Sequence, residues 1–537
     1  MKQFDVIKTK LSKKARRSSR IIATTLMIIV LYVCISLPSV GQSNTQTWST
    51  PQLIGDGWWN SMAIDSEGNL HISWYYSPSF GDGLSHDTLG YIRRNYDGEW
   101  SPVVDAIYTG DGGFTVRSAL ATTSDGFVYA AFRGVTQHYV AKAPIINALN
   151  ASTWSSWSDV GTESGYYIDM ISTPDDVLHV VFSGRPALAE ESAPTPALGR
   201  EALDCALCFD LFYTRSTDGG QTWSSLTPIS TLTGSGSDRV QIQRGESGRL
   251  YITWDEGVDW YSGSGAPLDV RMSYSEDNGL TWSPPIIMDG GDPTSPKAPI
   301  FSTLTELRDG SIMFVWMPSV NSDRNIYYQI STDVGQTWSQ PTAIPGIFNR
   351  GANEGLLDHF SMITDQLGLV HLFAIGRDSL EDRLNSQLYE IIYVPSSQYW
   401  MPPRRLFYSN TERPEWPEAI LGLSNDIHLT WFVREIDESA GGVAAQTQGL
   451  KVYYSYLSGN LSPRPTVEFR PTPTLLPTPT VFQNIEPSPT MVPTADSPRN
   501  MSVVSADNYA SEVFLGGLAV TALVCGFVFA IVRFRRY

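Results

Sequence analysis

Three arginines stand in equal register in this chain. Each lies three residues beyond the end of a recurring strand pattern: Arg185 after Phe182, Arg377 after Ala374 and Arg434 after Trp431. Guanidinium groups presented from three separate segments can clamp one carboxylate through charge-assisted, often bidentate hydrogen bonds. Arg133 follows Phe132 directly, and Arg117 and Arg239 lie in connections that lead into later units. The same ends of the pattern hold Asp255 and Glu256 after Trp254. The connections add Asp111, Tyr166, Tyr167, Lys297, Glu354, Asp358 and Glu415. The competing reading is that these arginines pair with acidic residues on neighbouring loops, since surface ion pairs are common and individually weak.

The elements that must position these residues are short strands. A turn followed by an alternating strand with an aromatic end recurs, as in Asn69–Trp74, Arg249–Trp254 and Asp426–Trp431. Alternation of this kind marks a strand with two distinct faces. A small-residue apolar strand precedes each copy, and a Tyr-rich strand follows most of them. A nine-residue motif, Ser-x-Asp-x-Gly-x-Thr-Trp-Ser, occurs at Ser216–Ser224, Ser275–Ser283 and Ser331–Ser339. In it, Asp218, Asp277 and Asp333 can bond their own turns, glycine supplies the positive φ, and Trp223, Trp282 and Trp338 plug the gap to a neighbouring sheet. Each unit thus holds four strands, A to D, in a repeat of roughly 50–60 residues, which predicts a propeller blade. The count is seven blades, with six as the alternative. A lone D-type strand near Thr47 can complete the last blade and close the ring, which removes a free edge. The fold class is therefore all-β, a propeller spanning 47–460. Strand direction alternates within a blade, so B–C loops and D–A connections share one face, the loop face, which carries the arginines. The A–B and C–D turns share the other, the hairpin face.

The repeated motif resembles the Asp box, or bacterial neuraminidase repeat, and the body from Thr47 to Leu457 resembles the sialidase superfamily of β-propellers. That resemblance implies structural turns at the motifs, on the face away from the site. It also implies an arginine triad for a sugar carboxylate, for which Arg185, Arg377 and Arg434 match in chemistry. An active member would carry a Tyr nucleophile, a carboxylate to activate it and a separate acid. Tyr166 or Tyr167, Glu256 and Asp111 lie on the right face for those roles. The family's early Arg-Ile-Pro is absent here. A non-catalytic propeller binding a glycan or protein is therefore placed ahead of an exo-sialidase-type glycoside hydrolase, with a structural role third.

Composition narrows the partners. The net charge is −18, although residues 1–20 alone carry eight Lys and Arg, so the body repels phosphate backbones and nucleic acid is excluded. No cofactor or metal is expected. Cys205 and Cys208 form one Cys-x-x-Cys, read first as a local disulfide, then as free thiols, and last as a metal site lacking two ligands. His71, His179, His371 and His428 recur at one position of strand B and read as bonded packing residues. Residues 1–41 look like a signal peptide or signal anchor. Residues 461–510 are a Pro/Thr-rich stalk. Residues 513–532 form an apolar run long enough to span a bilayer, and the basic tip 533–537 belongs in the cytoplasm. The expectation is a monomer at the cell membrane, with a single C-terminal span and the propeller outside, meeting a glycan or protein ligand.

Overall fold

The computed structural model describes residues 47–78, 86–111, 117–134, 137–154, 156–185, 209–230, 236–259, 264–288, 298–320, 322–350, 360–380, 386–435 and 450–459. The signal segment, stalk, apolar C-terminal run and basic tip lie outside these residues, as do Cys205, Cys208, Lys297, Glu354 and Asp358. Among the described residues no helix is long and apolar enough to cross a membrane.

The strands pair as seven antiparallel blades in a ring. Blade 1 runs Trp58–Ile64, Leu70–Tyr76, His86–Arg94 and Val104–Asp111, in order A to D. Blades 2 and 3 share one long strand, Trp157–Ser172, whose first half is strand D of blade 2 and whose second half is strand A of blade 3. The D–A connection expected at Tyr166 and Tyr167 is therefore continuous strand. Gly161 at φ 108° and a register shift opposite Ser183 let it turn from one blade into the next. In blade 7, strands Glu412–Leu421, Ile427–Glu435 and Lys451–Leu457 are completed by Gln52–Asp56 from the chain's start. The apolar side chains of adjacent blades interleave, so the core is a set of seams rather than one central mass.

The inner A strands face the ring axis with one edge unpaired, and an unbonded backbone N–H there is costly. Side chains from neighbouring blades supply the partners. Ser61 Oγ accepts the Leu120 N–H at 3.0 Å, Asp169 Oδ2 accepts that of Ile242 at 2.8 Å, and Ser361 Oγ accepts that of Ala419 at 3.1 Å. All three acceptors occupy the same height, each opposite the residue just before the terminal residue of strand B. Lower down, Thr122, Ser172 and Thr364 hydroxyls donate to the carbonyls of Ile64, Thr122 and Glu306.

On the hairpin face the three Ser-x-Asp motifs adopt one geometry. Thr222, Thr281 and Thr337 donate both backbone N–H and hydroxyl to Asp218, Asp277 and Asp333, at 2.5–2.9 Å. The Thr222 bonds hold Asp218 down to about 2. Trp282 packs edge-on to Tyr213 at 4.8 Å, and Trp338 packs against Phe314 at 5.6 Å. Trp223 packs against the seam between blades 2 and 3.

Strand-B histidines tie each blade to its own strand C. His71, His179 and His428 bond Tyr91, Tyr213 and Tyr454 through Nδ1, at 2.6–2.7 Å. Blade 6 differs, because His371 Nδ1 meets Glu390 at 2.8 Å and Nε2 faces Asp365 at 3.7 Å. Glu390 Oε2 also accepts from Trp48 Nε1 at 3.0 Å and Arg404 Nε at 2.8 Å, so it ties the closing strand to blade 6. Burial opposes a charge on His371, but the Asp365 and Glu390 carboxylates that flank it hold its pKa above the ordinary value, while both carboxylates are held low. A raised histidine adds stability below its unfolded pKa of roughly 6.5 and loses it as pH rises through the folded value. Thermal midpoints measured by calorimetry should therefore fall on the alkaline side of that window. His371→Gln should flatten that limb; an identical pH profile in the variant would contradict the assignment.

Candidate functional site

On the loop face the inner strands open with a repeated distortion. In blades 1, 4, 5 and 7 the A–B register slips by one residue, so two residues oppose a single strand-B tryptophan: Trp74, Trp254, Trp316 or Trp431. The first residue of each bulge takes the left-handed conformation. These are Trp59 at φ 55°, Arg239 at 53°, Phe301 at 55° and Trp416 at 53°. Such backbone favours glycine, and holding bulky side chains there costs on the order of 1–3 kcal/mol each. The bulges re-aim these four side chains toward the mouth of the ring axis.

There they build a closed stack. The Arg117 guanidinium lies 3.7 Å from the ring centroid of Trp59 and 3.7 Å from that of Tyr167, with Trp416 at 5.5 Å. Trp59 meets Trp416 edge-on at 4.9 Å. Arg239 continues the array, 5.7 Å from Tyr167 and 4.0 Å from Phe301. Asp255 Oδ2 lies 3.9 Å from Arg239 and accepts the Phe301 N–H at 3.1 Å, so it fixes that bulge. Every member except Trp416 is buried.

Beside the stack, arginines of blades 5, 6 and 7 converge. Glu415 is fully buried, and its Oε1 lies 3.4 Å from Arg350 Nη1 and 2.8 Å from Arg434 Nε. Arg377 Nη1 donates to the Arg350 carbonyl at 3.4 Å, and Arg324 Nη1 donates to that same oxygen. Glu415 Oε2 has no hydrogen-bond partner among the described residues. Four guanidinium groups are thus gathered around two acceptors. Grouped guanidinium groups are the donor chemistry that recognises a carboxylate or sulfate.

The structure distributes the sequence-derived residues among several places. Arg377 and Arg434 join the convergent group, together with Arg350 and Arg324, which the register rule did not select. Arg117, Arg239 and Tyr167 form the stack. Glu256 lies in blade 4, where its Oε2 accepts from Trp254 Nε1 at 2.7 Å and Ser237 Oγ at 2.9 Å, with Arg271 at 3.8 Å. Arg133 sits at the end of strand B in blade 2, where its N–H bonds the Arg117 carbonyl at 3.2 Å. Opposite it, His138 is fully buried, with neither ring nitrogen bonded among the described residues; burial, then Arg133, pushes it down to about 3, so it is neutral. Asp111 ends strand D of blade 1, Tyr166 precedes Tyr167 in the shared strand, and Arg185 ends strand B of blade 3. The side chains of these three lie outside the described residues.

These features define a seven-bladed β-propeller with an arginine-rich loop face. No family model matches the chain, and no curated protein sequence matches it. Solved structures similar in fold include an ulvan lyase, a polysaccharide lyase, with a TM-score of 0.49 and 11% identity over 77% of this chain and 96% of that one. An intramolecular trans-sialidase from Ruminococcus gnavus gives a TM-score of 0.40 and 13% identity over 76% and 94%. A protein of unknown function from Dyadobacter fermentans gives 0.43 and 13% over 77% and 99%. The likeness is one of fold alone.

The stack carries its own test. A desolvated guanidinium between two aromatic faces is worth about 2 kcal/mol or more. Arg117→Ala should lower the unfolding free energy by about that amount in urea titration; an unchanged midpoint would show that the stack is not held by the cation.

Proposed function

We propose that this propeller is a binding module for an anionic glycan, held outside the cell by the apolar segment 513–532. The observation that carries the reading is the convergence of Arg324, Arg350, Arg377 and Arg434 on one face of a chain whose net charge is −18. Their donors suit a carboxylate on a sugar, and the left-handed bulges beside them hold a fixed floor. Binding is preferred to hydrolysis because Glu256, the carboxylate proposed to activate a tyrosine, already accepts from Trp254 and Ser237 in blade 4, whereas Tyr167 stacks on Arg117. Arg185 remains a proposed contact from blade 3. Exo-sialidase-type hydrolysis by Tyr166 or Tyr167 with Asp111 is the outcome that would displace this reading.

Calorimetric titration should show sialyllactose binding and lactose failing to bind. Arg377→Ala should weaken binding at least tenfold, about 1.4 kcal/mol, with the thermal midpoint retained. Equal affinity for both sugars, or free sialic acid released during titration, would refute it. Protease added to intact cells should remove the propeller and leave the C-terminal tip protected.

A further inference from the structure

The seven inner strands enclose a tunnel of about 510 Å³ along the ring axis, within the range of small-molecule sites. The stack around Arg117 closes it on the loop face. At the hairpin face its lining residues Arg244 and Glu246 are exposed, so the tunnel is blind at one end and open at the other.

Its chemistry is acidic and graded. At the deep end, Asp169 and Glu418 occupy the height at which Ser61 and Ser361 accept backbone N–H groups from the next blade. Asp169 accepts two, from Ile242 and Met170, at 2.8 Å each. Among the described residues no backbone N–H of the next blade reaches Glu418, so this carboxyl does not serve the stitching. Both face the cavity and are otherwise enclosed by protein. A pocket of about 30 Å³, room for one water, lies between them and the stack. Trp59 lines it, 1% exposed, with an indole N–H that has no hydrogen-bond partner among the described residues. An unsatisfied buried donor in a polar cavity of this size needs an acceptor, which one water between the stack and the two carboxyls supplies. Toward the open end Glu306, 4% exposed, supplies a third carboxylate, steadied by Ser247 Oγ at 2.8 Å and Tyr251 OH at 3.3 Å.

We propose that the tunnel binds a linear aliphatic polyamine entering from the hairpin face, with one ammonium at Asp169 and Glu418 and another at Glu306. Among the described residues no three His, Cys, Asp or Glu side chains are grouped to hold a metal ion, and the volume far exceeds one ion. Three strand residues separate the two acidic levels, a span of about 10 Å. That span suits a triamine such as spermidine rather than a short diamine. Thr303 and Thr305 are part of the wall.

Burial raises Asp169 to about 7 and, with Asp169 beside it, lifts Glu418 well above the carboxylate range. The other charged groups facing this space are Glu306, Glu246 and Arg244 in the tunnel, and Arg117 and Arg239 in the stack above. An arriving ammonium favours the ionised carboxyls, so binding releases protons. Between pH 6 and pH 8 a group titrating at about 7 goes from about one tenth to about nine tenths ionised, so affinity should rise about tenfold.

The test is calorimetric titration of the detergent-solubilised full-length chain with spermidine in physiological salt, at pH 6, 7 and 8. Saturable binding that tightens about tenfold across the series, and at least tenfold weaker binding of putrescine, are expected. Glu418→Gln should weaken spermidine binding at least tenfold with an unchanged thermal midpoint. No binding, pH-independent affinity, equal affinity for putrescine, or undiminished binding by the folded variant would overturn the proposal. If Glu418→Gln fails to fold, the wild-type pH and putrescine series decide.

Discussion

The constraint on which this structure depends is the inner edge of each A strand. Seven strands arranged around an axis leave backbone donors and acceptors facing it, with no eighth sheet to meet them. The chain solves this with short polar side chains rather than with strands. The serine, threonine and aspartate bonds between neighbouring blades fix the spacing of the ring, and that spacing sets the tunnel's width. Blade 2 shows the rule by its exception. It carries Ala119 where its neighbours carry an acceptor, and the Met170 N–H it would have served turns instead to the carboxylate of the adjacent Asp169.

The outer architecture was legible because it repeats. Aromatic strand ends and the Ser-x-Asp hairpins gave the blade count, and the missing last D strand pointed to closure by the residues around Trp48. The loop face was legible only in part. Arg377 and Arg434 could be found because they follow strand B at a fixed interval, whereas Arg350 and Arg324 sit in connections with no register to count from. The bulges were hidden for a different reason. Left-handed backbone normally announces itself as glycine or asparagine, and here it falls on Trp59, Arg239, Phe301 and Trp416. Asp169 and Glu418 were hidden too, because one polar residue in an alternating strand looks like an outward-facing position.

The two faces divide the labour of the fold. On the hairpin face Asp218, Asp277 and Asp333 spend their hydrogen-bonding capacity on their own turns, which leaves that face regular. The loop face concentrates the strained backbone, the buried ionic groups and the stack over the axis. A buried ion pair is weak support for a fold, because desolvation offsets much of the attraction. The Glu415 cluster therefore adds less to stability than its short contacts suggest, and it stays rigid through the blades that frame it.

Closure of the ring has a mechanical side. Trp48 pairs with Leu457 and Asp56 with Lys451, so residues 47 and 459 emerge side by side from one end of the seam, on the hairpin face. Tension applied across these two points loads the ladder bonds one after another, as in opening a zipper. Pulling along the strands would load them together and meet far greater resistance. A ring with its ends placed this way yields first at its own fastening, and the other six blades remain intact while it does.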